Sequence, residues 1–452
     1  MSIVSRLLPS LLLPSLLLLS LLAACDSGTA TDDGSALPPP AGDSLYGRFE
    51  GGSGGPELGI AGLYYQGSGY AARTEDDGSY RHLAGDRLRW QIGDVLLGET
   101  AAGPLTSPYA LAGNCDFDAA LVRLARLLLS LDRDADPDNG LQLPAIPAAA
   151  APRPLMDFSE DELAERVRAW LGAGRGLVEE RAAVDSFVRV LDGERWEQTN
   201  REEFRLSAIV RSQGLSTDGS GWVFSWQNGL QRTGEAPLYL ASRTVLDAIP
   251  AELRAAGSDH IGDTDILDDR LYAPVENAGY TNPLILVYDP ATLAYLGEAY
   301  PLAPHQAHVA WIALDGARRL AYSGDWDPMP VVNVYALDQG FALLRQIPLS
   351  EPLSRVQGGK VYQGALYLSR DDEANSVYKV NLDTGTVLPL FSLESDLSGQ
   401  LGEMEGLAFR DLDDGSQLHT LELKASYLGA NFRHHRRSQP PPRQRWCGAP
   451  GS

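Results

Sequence analysis

The stretch "HIGDTDILDDRLYAPVEN" (residues 260–277) decides the fold, because comparable stretches recur along the chain at a constant step. The recurring segments begin at Ser212, His260, His308, Val356 and Met404, and 260−212, 308−260, 356−308 and 404−356 all equal 48. Each segment has a small residue two places in, followed by a strand pattern, a polar turn and a second strand pattern. A constant step of this length indicates a repeated structural unit.

Three of the units continue with a hairpin pattern, in "LILVYDPATLAYLG", "VVNVYALDQGFALL" and "SVYKVNLDTGTVLPL". Four short strands in about 40 to 50 residues are typical of one β-propeller blade, and blades must pack radially to bury both faces. The sequence therefore predicts a mainly β protein with a propeller over residues 201–437. Five blades are favoured, and a sixth, degenerate blade from Phe187 is the alternative. We expect "EEFRLSAIV" (residues 202–210) to supply the outer strand that closes the ring.

The N-terminus predicts export. Arg6 precedes an apolar run that is too short for the roughly 20 residues of a membrane span, and "LAAC" (residues 22–25) follows it. This arrangement resembles the lipobox of bacterial lipoproteins. The resemblance implies a signal peptide over residues 1–24, a palmitate-type acylation of Cys25, and lipid anchoring to the periplasmic face or the outer membrane of the cell envelope. An ordinary secretory signal or an uncleaved anchor is the alternative.

Four further regions are expected around the propeller. Residues 25–43 are small, polar and Pro-rich and predict a disordered tether. Residues 44–112 predict a small β module, since "LRWQI" alternates apolar and polar side chains; it resembles the β-sandwich-like modules of exported bacterial proteins, which implies a spacer or binding adaptor. Residues 113–200 predict a helical linker region in which Ser159 and Glu162 form a capping box. Residues 438–452 predict a disordered tail.

The helical region contains an Asp-rich loop, "DRDADPDNG". Its carboxylates at alternate positions (Asp132, Asp134, Asp136 and Asp138) have a spacing by which one loop can surround a hard cation. The match to an EF-hand is incomplete, because Pro137 replaces the turn glycine and Leu143 replaces the bidentate glutamate. The loop therefore predicts either a calcium site or a solvated acidic helix end.

Composition excludes several classes of function. The net charge of −23 argues against nucleic acid as a partner. Besides Cys25, only Cys115 and Cys447 are present, so no paired zinc motif exists, although these two could form a disulfide in an oxidising compartment. Serine hydrolase, zinc protease and phosphate-loop motifs are also missing from the sequence.

The repeat itself predicts a candidate site. The first strands of the blades line the central channel, so their leading side chains should gather at one mouth. These funnel candidates are Gln213, His260, Asp263, His308, Gln357 and Glu405. The alternative is structural: glycine is required where inner strands crowd the axis, and polar side chains there only hydrate the channel.

The blade pattern and "MEGLAF" (residues 404–409) resemble exported bacterial propellers of the regucalcin and gluconolactonase-like superfamily. The resemblance implies that Glu405 is a metal ligand, with Asp263 or Asp325 as partners, and that Ca²⁺ would activate a bound water. The Asn and catalytic Asp of that pattern have no assigned counterpart here.

Two functions follow from these features. The first is a lipid-anchored envelope protein whose propeller binds a ligand or an envelope protein. The alternative is a calcium-dependent propeller hydrolase acting on a lactone or ester, and the sequence leaves open whether the protein is an enzyme.

Overall fold

The computed structural model describes residues 44–52, 57–136, 139–205, 210–235, 239–393, 402–424 and 428–447. The predicted signal peptide, Cys25 and the tether lie outside the described residues. No helix in the described ranges is both long and apolar enough to cross a membrane.

The described residues of the N-terminal part form ten short strands and four α-helices. The first eight strands are β1 (Leu45–Phe49), β2 (Ile60–Ala61), β3 (Tyr64–Gln66), β4 (Ala71–Arg73), β5 (Ser79–His82), β6 (Arg87–Ile92), β7 (Val95–Ala101) and β8 (Leu105–Thr106). They are followed by α1 (Pro108–Ala112), α2 (Ala119–Ser130), β9 (Leu141–Gln142), β10 (Arg153–Pro154), a 3₁₀ turn (Leu155–Asp157), α3 (Glu160–Leu171) and α4 (Glu180–Asp192).

The β module and the helical region share one hydrophobic core, so the structure does not separate them at residue 112. Buried side chains from Phe49 in β1 to Leu191 in α4 belong to the same apolar cluster. In addition, β9 pairs with β2, and β10 pairs with β7. The predicted alternation holds in β6, where Trp90 is buried and packs edge-on against Phe49. The predicted capping box also forms at the start of α3.

In the described part of the remaining chain, five antiparallel sheets form the blades, of which four have four strands and one, blade 2, has five. The strand β11 (Arg195–Arg205) precedes them. Blade 1 contains β12 (Gly214–Thr217), β13 (Trp222–Trp226), β14 (Gly229–Thr233) and β15 (Ala241–Val245), and α5 (Ala251–Ala255) follows. Blade 2 contains β16 (Ser258–Ile261), β17 (Asp265–Leu267), β18 (Arg270–Asn277), β19 (Leu284–Tyr288) and β20 (Tyr295–Pro301). Its inner strand is divided into β16 and β17, which both pair with β18.

The remaining blades follow the same order from the axis outwards. Blade 3 contains β21 (Ala313–Asp315), β22 (Leu320–Ser323), β23 (Met329–Ala336), a 3₁₀ turn (Leu337–Gln339) and β24 (Ala342–Leu353). Blade 4 contains β25 (Val356–Tyr362), β26 (Ala365–Arg370), β27 (Ser376–Val380) and β28 (Val387–Ser392). Blade 5 contains β29 (Glu403–Phe409), β30 (Leu418–Leu423) and β31 (Gly429–Gln439).

The predicted mainly β fold with a five-bladed propeller is confirmed. Within the described ranges, the inner strands contact one another in the closed order β12, β17, β21, β25, β29 and back to β12. The outer strand of blade 5 is β11, which pairs along its length with β31. This closure joins the two ends of the ring through backbone hydrogen bonds. Phe187, where a sixth blade was considered, lies in α4.

The expected disordered tail from residue 438 is wrong for residues 438–447. β31 continues to Gln439, and a final helix, α6 (Arg443–Cys447), follows. Cys447 forms a disulfide with Cys115, and the neighbouring Trp446 stacks on Tyr109 at 5.3 Å. A polar, Pro-rich composition suggested disorder, but the covalent bond and the ring contact hold this segment on the N-terminal core.

Candidate functional site

One end of the ring opens into a pocket that gathers side chains from the first four blades. Its volume is about 310 Å³. Four of the six predicted funnel residues line it: Gln213, His260, His308 and Gln357. Gln213 and His308 lie just before the inner strands of blades 1 and 3, whereas His260 and Gln357 lie within those of blades 2 and 4. The shared register of the repeat therefore brings distant residues to one opening.

A buried carboxylate, Glu276 at the end of β18, joins the two histidines. The Nδ1 atom of His260 lies 2.9 Å from Oε1 of Glu276, within hydrogen-bond distance. The Nδ1 atom of His308 lies 2.8 Å from Oε2, although its N–H is not aligned for a hydrogen bond. The backbone N–H of Val309 also donates to Oε2 at 2.9 Å. One carboxylate therefore lies close to rings from two neighbouring blades.

This arrangement changes the pKa of Glu276, which is only 2 % exposed. Burial raises the pKa of its carboxyl, but the contacts with His260 and His308 outweigh burial and lower the pKa to about 2. Glu276 is thus ionised at any physiological pH. Sequence reasoning did not select this residue, although it was visible as the carboxylate that ends the apolar run of residues 271–275.

His308 is fixed by rings and by its own backbone. Its imidazole stacks on Tyr280 at a centroid distance of 4.2 Å and on Trp326 at 5.6 Å. The carboxylate of Asp325 accepts hydrogen bonds from the backbone N–H groups of Ala307 and His308, at 3.0 Å each. Within the described part of the chain, the Nε2 atom of His308 has no hydrogen-bond partner. The ring is therefore held in place with one nitrogen uncommitted.

His260 has a different environment. Its Nε2 atom lies 2.7 Å from Oε1 of Gln213, while its Nδ1 atom faces Glu276. Both ring nitrogens thus face oxygen acceptors, and a doubly protonated imidazole can donate to both. The two histidines share a carboxylate but differ at their second nitrogen.

Three polar side chains in the pocket are available to a ligand. Gln227, Asp259 and Gln357 line it, and their side chains form no hydrogen bond with the part of the protein that the structure describes. Amides donate and accept, and a carboxylate accepts, so this set suits hydroxyl and carbonyl groups. Concave sites of about 300 Å³ and above, with a few convergent polar groups, are the common form of small-molecule sites.

Asp263, predicted for the funnel, lies instead inside the ring and is fully buried. Its carboxylate accepts hydrogen bonds from the backbone of Leu215 (2.8 Å) and Gly359 (3.2 Å) and from the ammonium of Lys360 (2.6 Å). Burial raises its pKa to about 7, against the opposing effect of Lys360. Asp263 is therefore not among the residues that line the pocket. Asp263 connects blades 1, 2 and 4 at the axis.

This central position explains part of the repeat's glycine pattern. A Cβ atom on Gly358 would come within 2.9 Å of the Asp263 carboxylate, and one on Gly406 would overlap it. The small residue two places into each unit is thus required by close packing around the axis, as the structural alternative proposed.

Glu405, the other predicted funnel residue missing from the pocket lining, is also buried, with 1 % of its surface exposed. Burial, and to a lesser extent the negative charges of Glu403, Asp371 and Asp263, raise its pKa well above the usual value. Its two carboxyl oxygens have no hydrogen-bond partner among the described residues.

The predicted metal ligands are not brought together. The Asp263 carboxylate accepts hydrogen bonds from Lys360 and from backbone N–H groups. The Asp325 carboxylate accepts hydrogen bonds from the backbone of the loop that carries His308. In the Asp-rich loop, Asp132 accepts from the backbone of Gln142, and Asp134 accepts from Asp136 and Asn139. Asp138 lies outside the described residues. No group of three or more His, Cys, Asp or Glu side chains in the described ranges is arranged to hold a metal ion.

Comparisons with known proteins add little about activity. No protein-family model matches the chain, and no curated protein matches it. Among solved structures, a Myxococcus xanthus glutaminyl cyclase is 13 % identical, with a TM-score of 0.41, over 55 % of this chain and 98 % of that one. A calcium-binding protein, regucalcin from Agrobacterium tumefaciens strain C58, is 12 % identical, with a TM-score of 0.33, over 50 % and 77 %. A luciferin-regenerating enzyme is 10 % identical, with a TM-score of 0.34, over 55 % and 92 %. Likeness of this degree carries no functional argument.

Proposed function

We propose that the protein is exported, anchored to the cell envelope through lipid on Cys25, and binds a small polar ligand in the propeller mouth. The observation that carries the binding function is the convergence of four polar side chains from four blades on one pocket, with both histidines held by Glu276. A concave pocket of this size accommodates a small molecule better than it accommodates the flat face of a partner protein.

The lipid anchor is supported by the sequence alone. The apolar run, the "LAAC" stretch and the following Pro-rich segment have the order that a lipoprotein requires. The disulfide between Cys115 and Cys447 is consistent with folding in an oxidising compartment. Mass spectrometry of the protein purified from membranes tests the anchor. We expect an acyl mass on Cys25 that is lost in Cys25→Ser, and a native chain without that mass would contradict it.

The calcium-dependent hydrolase is not supported by a comparable observation, because its expected ligands are committed elsewhere or buried away from the pocket.

The binding proposal is tested with the chain from residue 26 onwards and a panel of small neutral sugars and hydroxy acids. Saturation-transfer NMR reports which compounds bind. We expect binding to weaken at least tenfold in Gln357→Leu, because an uncommitted amide is removed from the pocket.

The matched control is Gln339→Leu, an exposed glutamine in the turn between β23 and β24, away from the pocket lining. Equal binding by the two variants would show that the bound compound does not occupy the mouth.

A further inference from the structure

We propose that the mouth pocket isomerises a small hydroxylated aldehyde or ketone by proton transfer, with His308 as the base and His260 as the acid. This inference rests on the proposed function, since it requires the ligand to occupy the same pocket. It adds a reaction and a ligand class to a site that is otherwise only a binding site.

The first argument is the shared carboxylate. Because Nδ1 of each ring faces Glu276, exchange with a ligand must use Nε2, which has no partner in His308 among the described residues and lies against Oε1 of Gln213 in His260. An ionised carboxylate beside each imidazole stabilises the positive ring that forms when that imidazole takes up a proton. Glu276 is 2 % exposed and also accepts from Val309, so it has little freedom to move away from the rings.

The second argument is the difference between the rings. Nε2 of His260 lies 2.7 Å from Oε1 of Gln213, an acceptor towards which this nitrogen can donate a proton, while Nδ1 lies 2.9 Å from Oε1 of Glu276. His308 has no partner at Nε2 among the described residues, which leaves a lone pair there when Nδ1 carries the proton. Two similar groups placed in different environments are the usual origin of an acid and a base in one site.

The third argument is what the pocket lining contains. Its described residues include no serine, threonine, cysteine or lysine side chain that could act as a covalent nucleophile. They do include the uncommitted amides of Gln227 and Gln357 and the carboxylate of Asp259. These groups can hold hydroxyl and carbonyl oxygens while the histidines move protons.

The reaction balances without any other reactant. Nε2 of His308 removes the proton from the carbon that carries a hydroxyl group next to the carbonyl. The electron pair of that C–H bond forms the C=C bond of an enediol, and His260 gives its Nε2 proton to the carbonyl oxygen. His308 then returns its proton to the former carbonyl carbon. His260 regains a proton from the other hydroxyl, whose oxygen becomes the new carbonyl.

The test uses the chain from residue 26 onwards in D₂O, with glycolaldehyde, dihydroxyacetone, D-glyceraldehyde, D-xylose and D-glucose as probes. Proton NMR follows the loss of the C–H signal next to the carbonyl as deuterium enters, and saturation-transfer NMR measures binding separately. We expect exchange by the native protein at a rate about 100-fold or more above that of His308→Gln. His305→Gln is the matched control, since His305 is exposed and outside the pocket lining.

A second variant guards against misfolding. Gln213→Leu removes the acceptor at Nε2 of His260 while Glu276 still faces its Nδ1, so we expect exchange to fall by a larger factor than binding does. Binding without exchange above buffer would overturn the inference and leave the proposed function standing. If no probe binds, the ligand class and the inference both fall. Equal exchange in His305→Gln and His308→Gln would also overturn it.

Discussion

Nζ of Lys360 lies 2.6 Å from Oδ2 of Asp263, and the two side chains pair at the axis of the propeller with almost no exposure to solvent. Asp263 belongs to blade 2 and Lys360 to blade 4, so the ion pair links blades that are not neighbours in the ring. Asp263 also accepts hydrogen bonds from the backbone N–H groups of Leu215 and Gly359, so its carboxylate has three donors at the axis.

Replacing Asp263 should therefore destabilise the propeller. We expect Asp263→Ala to lower the free energy of unfolding by about 3–5 kcal/mol, because it leaves the Lys360 ammonium buried without its partner. Urea denaturation followed by tryptophan fluorescence measures the change. Asp269→Asn, at an exposed turn position of the same blade, is the control and should stay within about 0.5 kcal/mol of the native protein. A similar small effect for Asp263→Ala would contradict this role.

Three buried histidines should make blade 5 sensitive to acid. Burial is the main cause that lowers the pKa of His419 to about 3, of His434 to about 4 and of His435 to about 3. Unfolded histidine titrates near 6.5, so the unfolded chain binds more protons below that pH, and stability falls as pH drops from about 6.5 towards 4. Each histidine contributes roughly 1.4 kcal/mol per pH unit within that window.

Chemical denaturation at several pH values between 7 and 4 measures this slope. Asp263 and Asp265, whose pKa values are raised to about 7 and about 6, act in the opposite sense, so the comparison must be made with a variant. We expect His434→Gln to reduce the slope and His305→Gln to leave it unchanged. Identical slopes in all three proteins would show that these buried rings do not govern acid stability.

The ionised Glu276 should stabilise the fold, and this stabilisation should be lost at low pH. Its folded pKa of about 2 is below the unfolded value of 4.5, so its stabilising effect is complete above about pH 4.5 and is lost as pH falls towards 2. The full effect is on the order of 3 kcal/mol. We expect the difference in unfolding free energy between the native protein and Glu276→Gln to shrink over this range. A difference that stays constant from pH 5 to pH 3 would be evidence against the pairing with His260 and His308.

The disulfide between Cys115 and Cys447 should hold the C-terminal helix on the N-terminal core. The two cysteines are 332 residues apart, so the crosslink restricts the unfolded chain strongly, and a typical stabilisation is about 2–4 kcal/mol. We expect the double variant Cys115→Ser and Cys447→Ser to melt at a lower temperature and to lose the segment after Gln439 to protease first. Adding a reductant should lower the melting temperature of the native protein but not that of the double variant.

Part of the candidate site was predictable because the repeat sets its register. A step of 48 residues places Gln213 and Gln357 at equivalent positions, and likewise His260 and His308. Once the units were recognised as blades, these residues were expected to line one opening, and they do. The same reasoning placed Glu405 with Gln213 and Gln357, yet Glu405 is buried outside the pocket lining. Register gives the position along a strand, whereas side-chain exposure also depends on the neighbouring blade.

The sequence alone determined the class of fold, favoured five blades over six and supplied candidates for the mouth, since periodic strands and turns are local properties that a chain carries in its order of residues. Only the tertiary structure decided the partners of each carboxylate. Glu276 holds the two histidines, Asp263 pairs with Lys360 at the axis, and Asp325 anchors a loop. Ring closure causes the difference, because contacts between residues from separate blades, such as Asp263 and Lys360, 97 positions apart, exist only after all five blades pack around one axis.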